Sequence, residues 1–362
     1  MSAPNPPRAP RIALLLGPST GGIGRHVRSL AVRLVESGHT VRIAGPAATD
    51  RRFGFGRVAQ FVPLEVPAPG AVRHGRAVLA GADVVHAHGH AASVVASLAR
   101  ERSTPLVVSW HNTVSDTSWR RLPMQLARRW AVSRATVVLA ASADLAEEAA
   151  RLGARDARLL AVSAPALAPA TRSREEVRRS LGLASRPLVL AVGRLAPQKR
   201  YDVLLDAVVR LRDRDALPPL VLVAGEGPLH AELAERIERE RLPVRLAGHR
   251  TDVAELLAAA DVAVLTSQWE ARALVAQEAL RSGVPLVATA VGGIPDLVGS
   301  AAVLVPPDDP GAVATALTEV LDRAEVAARL RAAGPRQAAT WPDEDETARE
   351  IAKIYQEVIT SG

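Results

Sequence analysis

Short apolar runs rich in Val, Ile and Leu recur along this chain, each followed by a polar or glycine-containing break and then by a helical or loop segment. RIALLL (Arg11–Leu16), TVRIAG (Thr40–Gly45), DVVHAH (Asp83–His88), LVVSWH (Leu106–His111) and ATVVLA (Ala135–Ala140) have the length and branching of strands. A second series runs from Arg174 to about Ala333. It contains the strand-like PLVLAV (Pro187–Val192) and ADVAVLT (Ala260–Thr266), with helices predicted over Tyr201–Arg212 and Ala271–Arg281. Between the series, APALAPAT (Ala164–Thr171) breaks periodicity with two prolines and reads as a linker. This alternation predicts an α/β protein of parallel sheets wrapped by helices. The expected organisation is a disordered proline-rich tail over residues 1–10, a first Rossmann-like domain over 11–167, a second over 172–338 and a charged C-terminal helix within 341–362. No short internal repeat is visible.

The richest chemistry lies in SQWEARALVAQEALRSGVP, Ser267–Pro285. Glu270 falls on the turn between a strand and a helix, at the carboxyl edge of an open α/β sheet where ligands bind. The amides of Ala273, Leu274 and Val275 then face any anion placed there, and Glu278, read as about two turns into the helix, flanks the same site. Taken alone, Glu270 is equally a favourable partner of the helix dipole, worth ~0.3–1 kcal/mol, and Glu278 an ordinary solvated residue.

The second strand-to-helix loop changes that picture. In GRLAPQKRYDVLLDA (Gly193–Ala207), Arg194 and Lys199 project from the loop after PLVLAV, and a guanidinium with an ammonium there suits a diphosphate. Lysine is scarce: Lys199 and Lys353 are the only two in a chain with 45 Lys plus Arg, so position 199 selects an ammonium over the default arginine. His249 and Arg250 lie on a further loop, within LAGHRTDV (Leu246–Val253).

Other motifs are weighed against simpler readings. Gly21, Gly22 and Gly24 form a glycine-rich turn after the first strand, ahead of a helix predicted from about Ile23 to Ser37, where amides can approach an anion. The turn lacks GxGxxG spacing, and no acidic residue closes TVRIAG, which argues against a nicotinamide enzyme. His86, His88 and His90 in HAHGH suggest metal, but no carboxylate or cysteine motif accompanies them, so they read as structural and no metal ligand is assigned. Asp213–Asp215 and Asp343–Asp345 read as solvated charges. His111 follows its strand at the carboxyl edge, where a neutral imidazole can donate or accept a hydrogen bond or simply pack.

Composition narrows the partners. The 362 residues suffice for two domains, 48% are hydrophobic, and there is no cysteine, which excludes disulfides and thiolate metal sites. IALLL (Ile12–Leu16) is too short for a signal-peptide core or a membrane span, so a cytoplasmic protein is expected. A net charge of +7 favours anionic partners. With 3% aromatics and no RNP-like or zinc pattern, nucleic acid is not among those expected. Ser118–Ala135 concentrates Arg120, Arg121, Arg128, Arg129 and Arg134 with Trp119 and Trp130, a pattern that fits either an interfacial helix at the inner face of a membrane or a plain surface helix.

Together these stretches resemble the retaining glycosyltransferases of family 4, the GT-B group that includes the mycothiol and phosphatidylinositol mannoside transferases. The resemblance spans nearly the whole chain. It is carried by GPSTGGIGRHVRSLA (Gly17–Ala31), DVVHAHG (Asp83–Gly89), VVSWHNT (Val107–Thr113), GRLAPQK, VAGEGP (Val223–Pro228), LAGHRTDV (Leu246–Val253), the Glu270–Glu278 segment, SGVPLVAT and VGGIPDLV. It implies two Rossmann-like domains facing each other across a cleft and transfer of a hexose from a nucleoside diphosphate sugar, UDP- or GDP-linked, without metal or other cofactor. By the same resemblance Arg194 and Lys199 hold the donor phosphates, Glu278 the ribose and Glu270 the transferred sugar, and the loop of His249 and Arg250 faces the nucleobase. His111 sits at the reaction centre, and the Gly21–Gly22 turn closes on the phosphates. A lipid-linked or cell-envelope glycan is the expected acceptor, with a small molecule as the other candidate.

Four departures stand out: Ala271, Ala273 and Arg200 occupy positions where that family commonly has glycine, SAPAL (Ser163–Leu167) stands in place of an NG-containing turn, and a left-handed alanine would cost ~1–2 kcal/mol. A catalytically silent sugar-nucleotide-binding scaffold and a sugar-nucleotide epimerase of the same fold therefore remain as alternatives.

Overall fold

A computed structural model describes residues 9–19, 21–112, 122–164, 167–212 and 217–361. The chain divides into two compact units, Met1–Pro165 with Pro342–Gly362, and Ala166–Trp341. Most of the proline-rich tail, Ser118–Arg121, part of the proposed linker and Asp213–Asp215 lie outside the described residues.

The first unit is a seven-stranded sheet of β1 (Arg11–Leu16), β2 (Thr40–Gly45), β3 (Gln60–Pro63), β4 (Val84–His88), β5 (Leu106–Trp110), β6 (Val137–Ala140) and β7 (Ala157–Leu159), in the order β3-β2-β1-β4-β5-β6-β7. All its neighbours run parallel. The central strands are buried at nearly every position, as a sheet covered on both faces requires. The helix after β1 runs from Gly22 to Glu36, one residue earlier than expected. Gly24 explains part of that turn's composition, because a Cβ there would come within 2.2 Å of the Phe53 ring.

The C-terminal helix, Glu344–Thr360, belongs to this first unit. Asp343 and Glu346 form its capping box, and Ile351, Ile354, Tyr355 and Val358 enter the core beneath β1 and β4. Asp345 pairs with Arg33 at 2.5 Å, and Arg158 on β7 holds Glu357 through two nitrogens. The acidic string is therefore part cap and part ion pair.

The second unit is a six-stranded parallel sheet of β8 (Leu188–Val192), β9 (Leu220–Ala224), β10 (Val244–Leu246), β11 (Val262–Leu265), β12 (Leu286–Thr289) and β13 (Val303–Val305), in the order β10-β9-β8-β11-β12-β13. Strand order reverses between β8 and β11. At such a switch point the loops leaving the two strands diverge and open a crevice outside their carboxyl ends. The loop after β8 carries Arg194 and Lys199; the loop after β11 carries Glu270.

The helix predicted over Ala271–Arg281 begins only at Leu274. Ala271 and Ala273 stay in the turn, where Ala273 is the N-cap with φ −56°, and neither alanine has positive φ. The anticipated strain is absent at both. Arg200 does adopt the left-handed conformation, with φ 48° and ψ 48°, and its guanidinium is tethered to Asp202 and Asp308.

Candidate functional site

The two switch-point loops of the second unit are stitched together before their charged groups meet. Gln268 donates its amide to the Gln198 carbonyl at 2.8 Å, and the Gln198 side chain donates to the Trp269 carbonyl at 2.7 Å. Thr266 Oγ1 bonds the Lys199 carbonyl at 3.0 Å, while Thr289 Oγ1 at the end of β12 holds the Ser267 carbonyl at 2.6 Å. Beneath the turn, Gly293 donates to the Glu270 carbonyl at 2.9 Å. A Cβ on Gly292, whose φ is +51°, would come within 2.2 Å of that same carbonyl oxygen. The VGGIP segment thus seats the Glu270 turn.

On this frame Lys199 Nζ donates to Glu270 Oε1 at 2.5 Å, and Ser267 Oγ donates to the same oxygen at 2.7 Å. Glu270 is 9% exposed, so its charge is largely withdrawn from water and compensated locally. Burial first, and then the charge of Glu270, push the neighbouring Tyr201 hydroxyl above its usual value, which keeps it protonated. Arg194 is exposed on the preceding loop and makes no ion pair among the described residues. The first helical bond of Leu274–Arg281 runs from the Gln277 amide to the Ala273 carbonyl, so the amides of Leu274, Val275 and Ala276 point out of the helix start. Glu278, the fifth residue of the helix and buried, lies about one turn in rather than two, because the helix starts late.

The other expected residues of this unit are placed more loosely. His249 is exposed on the loop after β10, and Arg250 is held by both oxygens of Asp252, at 2.8 and 2.6 Å. Ser267, Thr266, Gln198 and Gly292 were not singled out from sequence. Ser267 had a local signal in its three-residue spacing from Glu270; the others act across the fold and had none.

In the first unit His111 leaves the end of β5 beside His88 and His26. Burial, followed by the neighbouring imidazoles of His26, His86 and His90, holds it well below its ordinary value, so it is neutral. The histidines of HAHGH have separate fates. His86 is saturated by the Tyr355 hydroxyl at 2.6 Å and Ser109 Oγ at 2.7 Å; His88 approaches His111; His90 bonds the Asn112 carbonyl at 2.8 Å. Gly21 caps the following helix, and a Cβ there would meet nothing within 4 Å, so packing does not require a glycine at this position.

The basic stretch needs correction. Arg128 is 6% exposed, donates to Glu148 at 2.9 Å and to His90 Nδ1 at 3.3 Å, and lies 5.1 Å over the Trp110 ring. It is an internal tie of the first unit and cannot face a membrane. Arg129 and Arg134 are exposed on the same helix, Leu122–Arg134, as is Leu126. Among the described residues no helix is long and apolar enough to cross a membrane.

The sequence pattern described as Glycosyl transferase 4-like domain matches residues 21–165, and that described as Glycosyl transferases group 1 matches residues 186–323. A glycogen synthase of Mycobacterium tuberculosis is 28% identical over 399 residues, covering 92% of this chain and 91% of that protein. A GDP-mannose-dependent alpha-(1-6)-phosphatidylinositol dimannoside mannosyltransferase of the same species is 28% identical over 359 residues, covering 92% and 93%. In fold the chain is similar to HepE of Anabaena in complex with UDP and glucose, with a TM-score of 0.82 at 21% identity over 96% of this chain and 100% of that one. With two Rossmann-like sheets and both sequence patterns in register with them, the chain belongs to the family 4 glycosyltransferases of the GT-B fold.

Proposed function

We propose that the protein transfers a hexose from a nucleoside diphosphate sugar to an acceptor with retention of anomeric configuration and without a metal ion. One observation carries this reading: Lys199 and Glu270 stand paired at the ends of the two switch-point strands, beside the outward amides of Leu274 and Val275. Arg194, Lys199 and those amides hold the diphosphate and stabilise it as it departs, which removes the need for a divalent cation at that step. Glu278 binds the ribose, Glu270 the transferred sugar, and His249 with Arg250 flank the base. Gly21 and Gly22 supply amides, and His111 serves the reaction centre as a neutral imidazole. Retention follows a front-face route.

UDP- and GDP-sugars are the proposed donors, in line with the GDP-mannose dependence of one relative and the UDP and glucose held by HepE. The acceptor is proposed to be a lipid-linked or cell-envelope glycan approached through Arg129, Arg134 and Leu126. Each basic residue near an anionic surface contributes about 1 kcal/mol. A panel of UDP-, GDP- and ADP-sugars scored for binding and slow hydrolysis tests the donor: one class should bind and hydrolyse, and inertness toward all would refute the reading. For the acceptor, Arg129→Glu with Arg134→Glu should release the protein from anionic vesicles at low salt; no binding by the wild type would leave the small-molecule acceptor.

A further inference from the structure

Histidines from three separate elements converge in the first unit. His26 comes from the helix after β1, His88 from the last position of β4 and His111 from the loop after β5. One ring nitrogen from each lies within 4.8 Å of the other two. The ring centroids are 5.7 Å apart for His26 and His88, 5.2 Å for His26 and His111, and 5.6 Å for His88 and His111, nearly an equilateral triangle. Three imidazoles on one tetrahedral zinc ion, with Zn–N of about 2.05 Å, place their nitrogens ~3.3 Å and their centroids ~5.3 Å apart. His88 Nδ1 and His111 Nε2 already stand 3.3 Å from each other.

Hydrogen bonding accounts for only one edge of this cluster, the 3.3 Å approach of His88 Nδ1 to His111 Nε2. The Nε2 atom of His26 is buried and has no hydrogen-bond partner among the described residues, although such a nitrogen costs ~1–3 kcal/mol; His88 presents its other nitrogen, Nδ1, to His111. His86, on the same strand, shows what a satisfied structural histidine looks like here, with both nitrogens bonded. Burial is the main influence on all three: it holds His26 at about 4, and, with the adjacent imidazoles, His88 and His111 well below the usual value. They are thus neutral and keep the lone pair with which imidazole ligates.

We propose that His26, His88 and His111 form a tri-histidine site for one dication of the zinc class, its fourth position open to water or an anion. Nitrogen-only ligation disfavours Mg²⁺ and Ca²⁺, which take oxygen ligands, and favours zinc, cobalt, nickel or copper. His111 is partly exposed, which leaves one side of the triangle within reach of solvent. On the transferase reading the ion would occupy the His111 lone pair and withdraw that imidazole from the reaction centre; binding itself does not depend on that reading.

The test is titration of the whole chain, carrying no histidine tag and stripped by chelator and dialysis, with CoCl₂. The expected result is one Co²⁺ per chain with the visible absorption of a four-coordinate ion, displaced by ZnCl₂. Uptake should weaken at least tenfold in His26→Gln and in His88→Gln and persist in His74→Gln, an exposed control. No uptake by the wild type, or equal uptake by wild type and both site variants, overturns the proposal. If the glutamine variants fold poorly, X-ray absorption of the zinc-loaded wild type decides alone. A shell of imidazole nitrogens near ~2.0 Å supports the site, and an all-oxygen shell overturns it.

Discussion

Lys199→Ala probes stability and chemistry at once, because it removes the cation from a carboxylate that the fold has largely taken out of water. Two unit charges ~4 Å apart at an effective dielectric of ~20 attract by ~4 kcal/mol. The side chains of Lys199 and Glu270 retain 18% and 11% exposure, so screening and the cost of desolvating both reduce the net coupling to about 1–3 kcal/mol. Lys199→Ala should therefore lower stability by that amount, at roughly 2–4 °C of Tm per kcal/mol for a unit of this size. Adding Glu270→Gln removes the stranded charge, and the double variant should recover much of the loss. Activity should behave differently. Turnover should fall ~10²–10³-fold in Lys199→Ala and stay low in the double variant, since loss of a group stabilising the leaving diphosphate is not repaired by neutralising Glu270. Thermal melting by circular dichroism and release of nucleoside diphosphate give the two readouts for all four proteins. Strict additivity of the stability changes, or wild-type turnover in Lys199→Ala, would refute the reasoning.

Three further outcomes follow from named groups. Glu278→Gln should weaken nucleotide binding by about tenfold with little change in kcat, because a ribose ligand acts alike in ground and transition states; calorimetry with initial rates checks this, and a kcat effect alone contradicts it. Exhaustive chelation should leave transfer unimpaired; loss with EDTA and recovery with Mg²⁺ or Mn²⁺ would contradict the cation clamp. Burial holds His26 at about 4 and His86 at about 3, whereas unfolded imidazoles titrate near 6.5. As pH falls below that unfolded value the unfolded chain takes up protons that the folded unit refuses, so metal-free protein should lose about 2 kcal/mol per histidine by pH 5. A urea midpoint unchanged between pH 7 and 5 would count against it.

Local pattern carried the layout of strands and helices because parallel strands covered on both faces are almost uniformly apolar, and RIALLL, DVVHAH and PLVLAV announce themselves. Glu270, Arg194 and Lys199 were visible because each follows such a strand directly, where α/β sheets bind ligands. The late start of the helix at Leu274 was not legible: Ala271 and Arg272 are good helix formers, and the Glu270 carbonyl just before them is engaged by Gly292 and Gly293, some twenty residues downstream. Arg128 misled for a similar reason. Its burial depends on Glu148, His90 and Trp110, which only the tertiary fold brings to it. In the same way the HAHGH string hid its meaning, since the neighbours of His88 are His26 and His111 from other elements.

The central claim is that the switch-point loops of the second unit hold a nucleoside diphosphate. A crystal structure of the protein with the nucleoside diphosphate selected by the sugar-nucleotide panel tests it most directly. The account predicts the diphosphate against the amides of Leu274 and Val275, in contact with Arg194 and Lys199, with Glu278 on the ribose. A nucleotide bound elsewhere, with Arg194 and Lys199 untouched by phosphate, would contradict it.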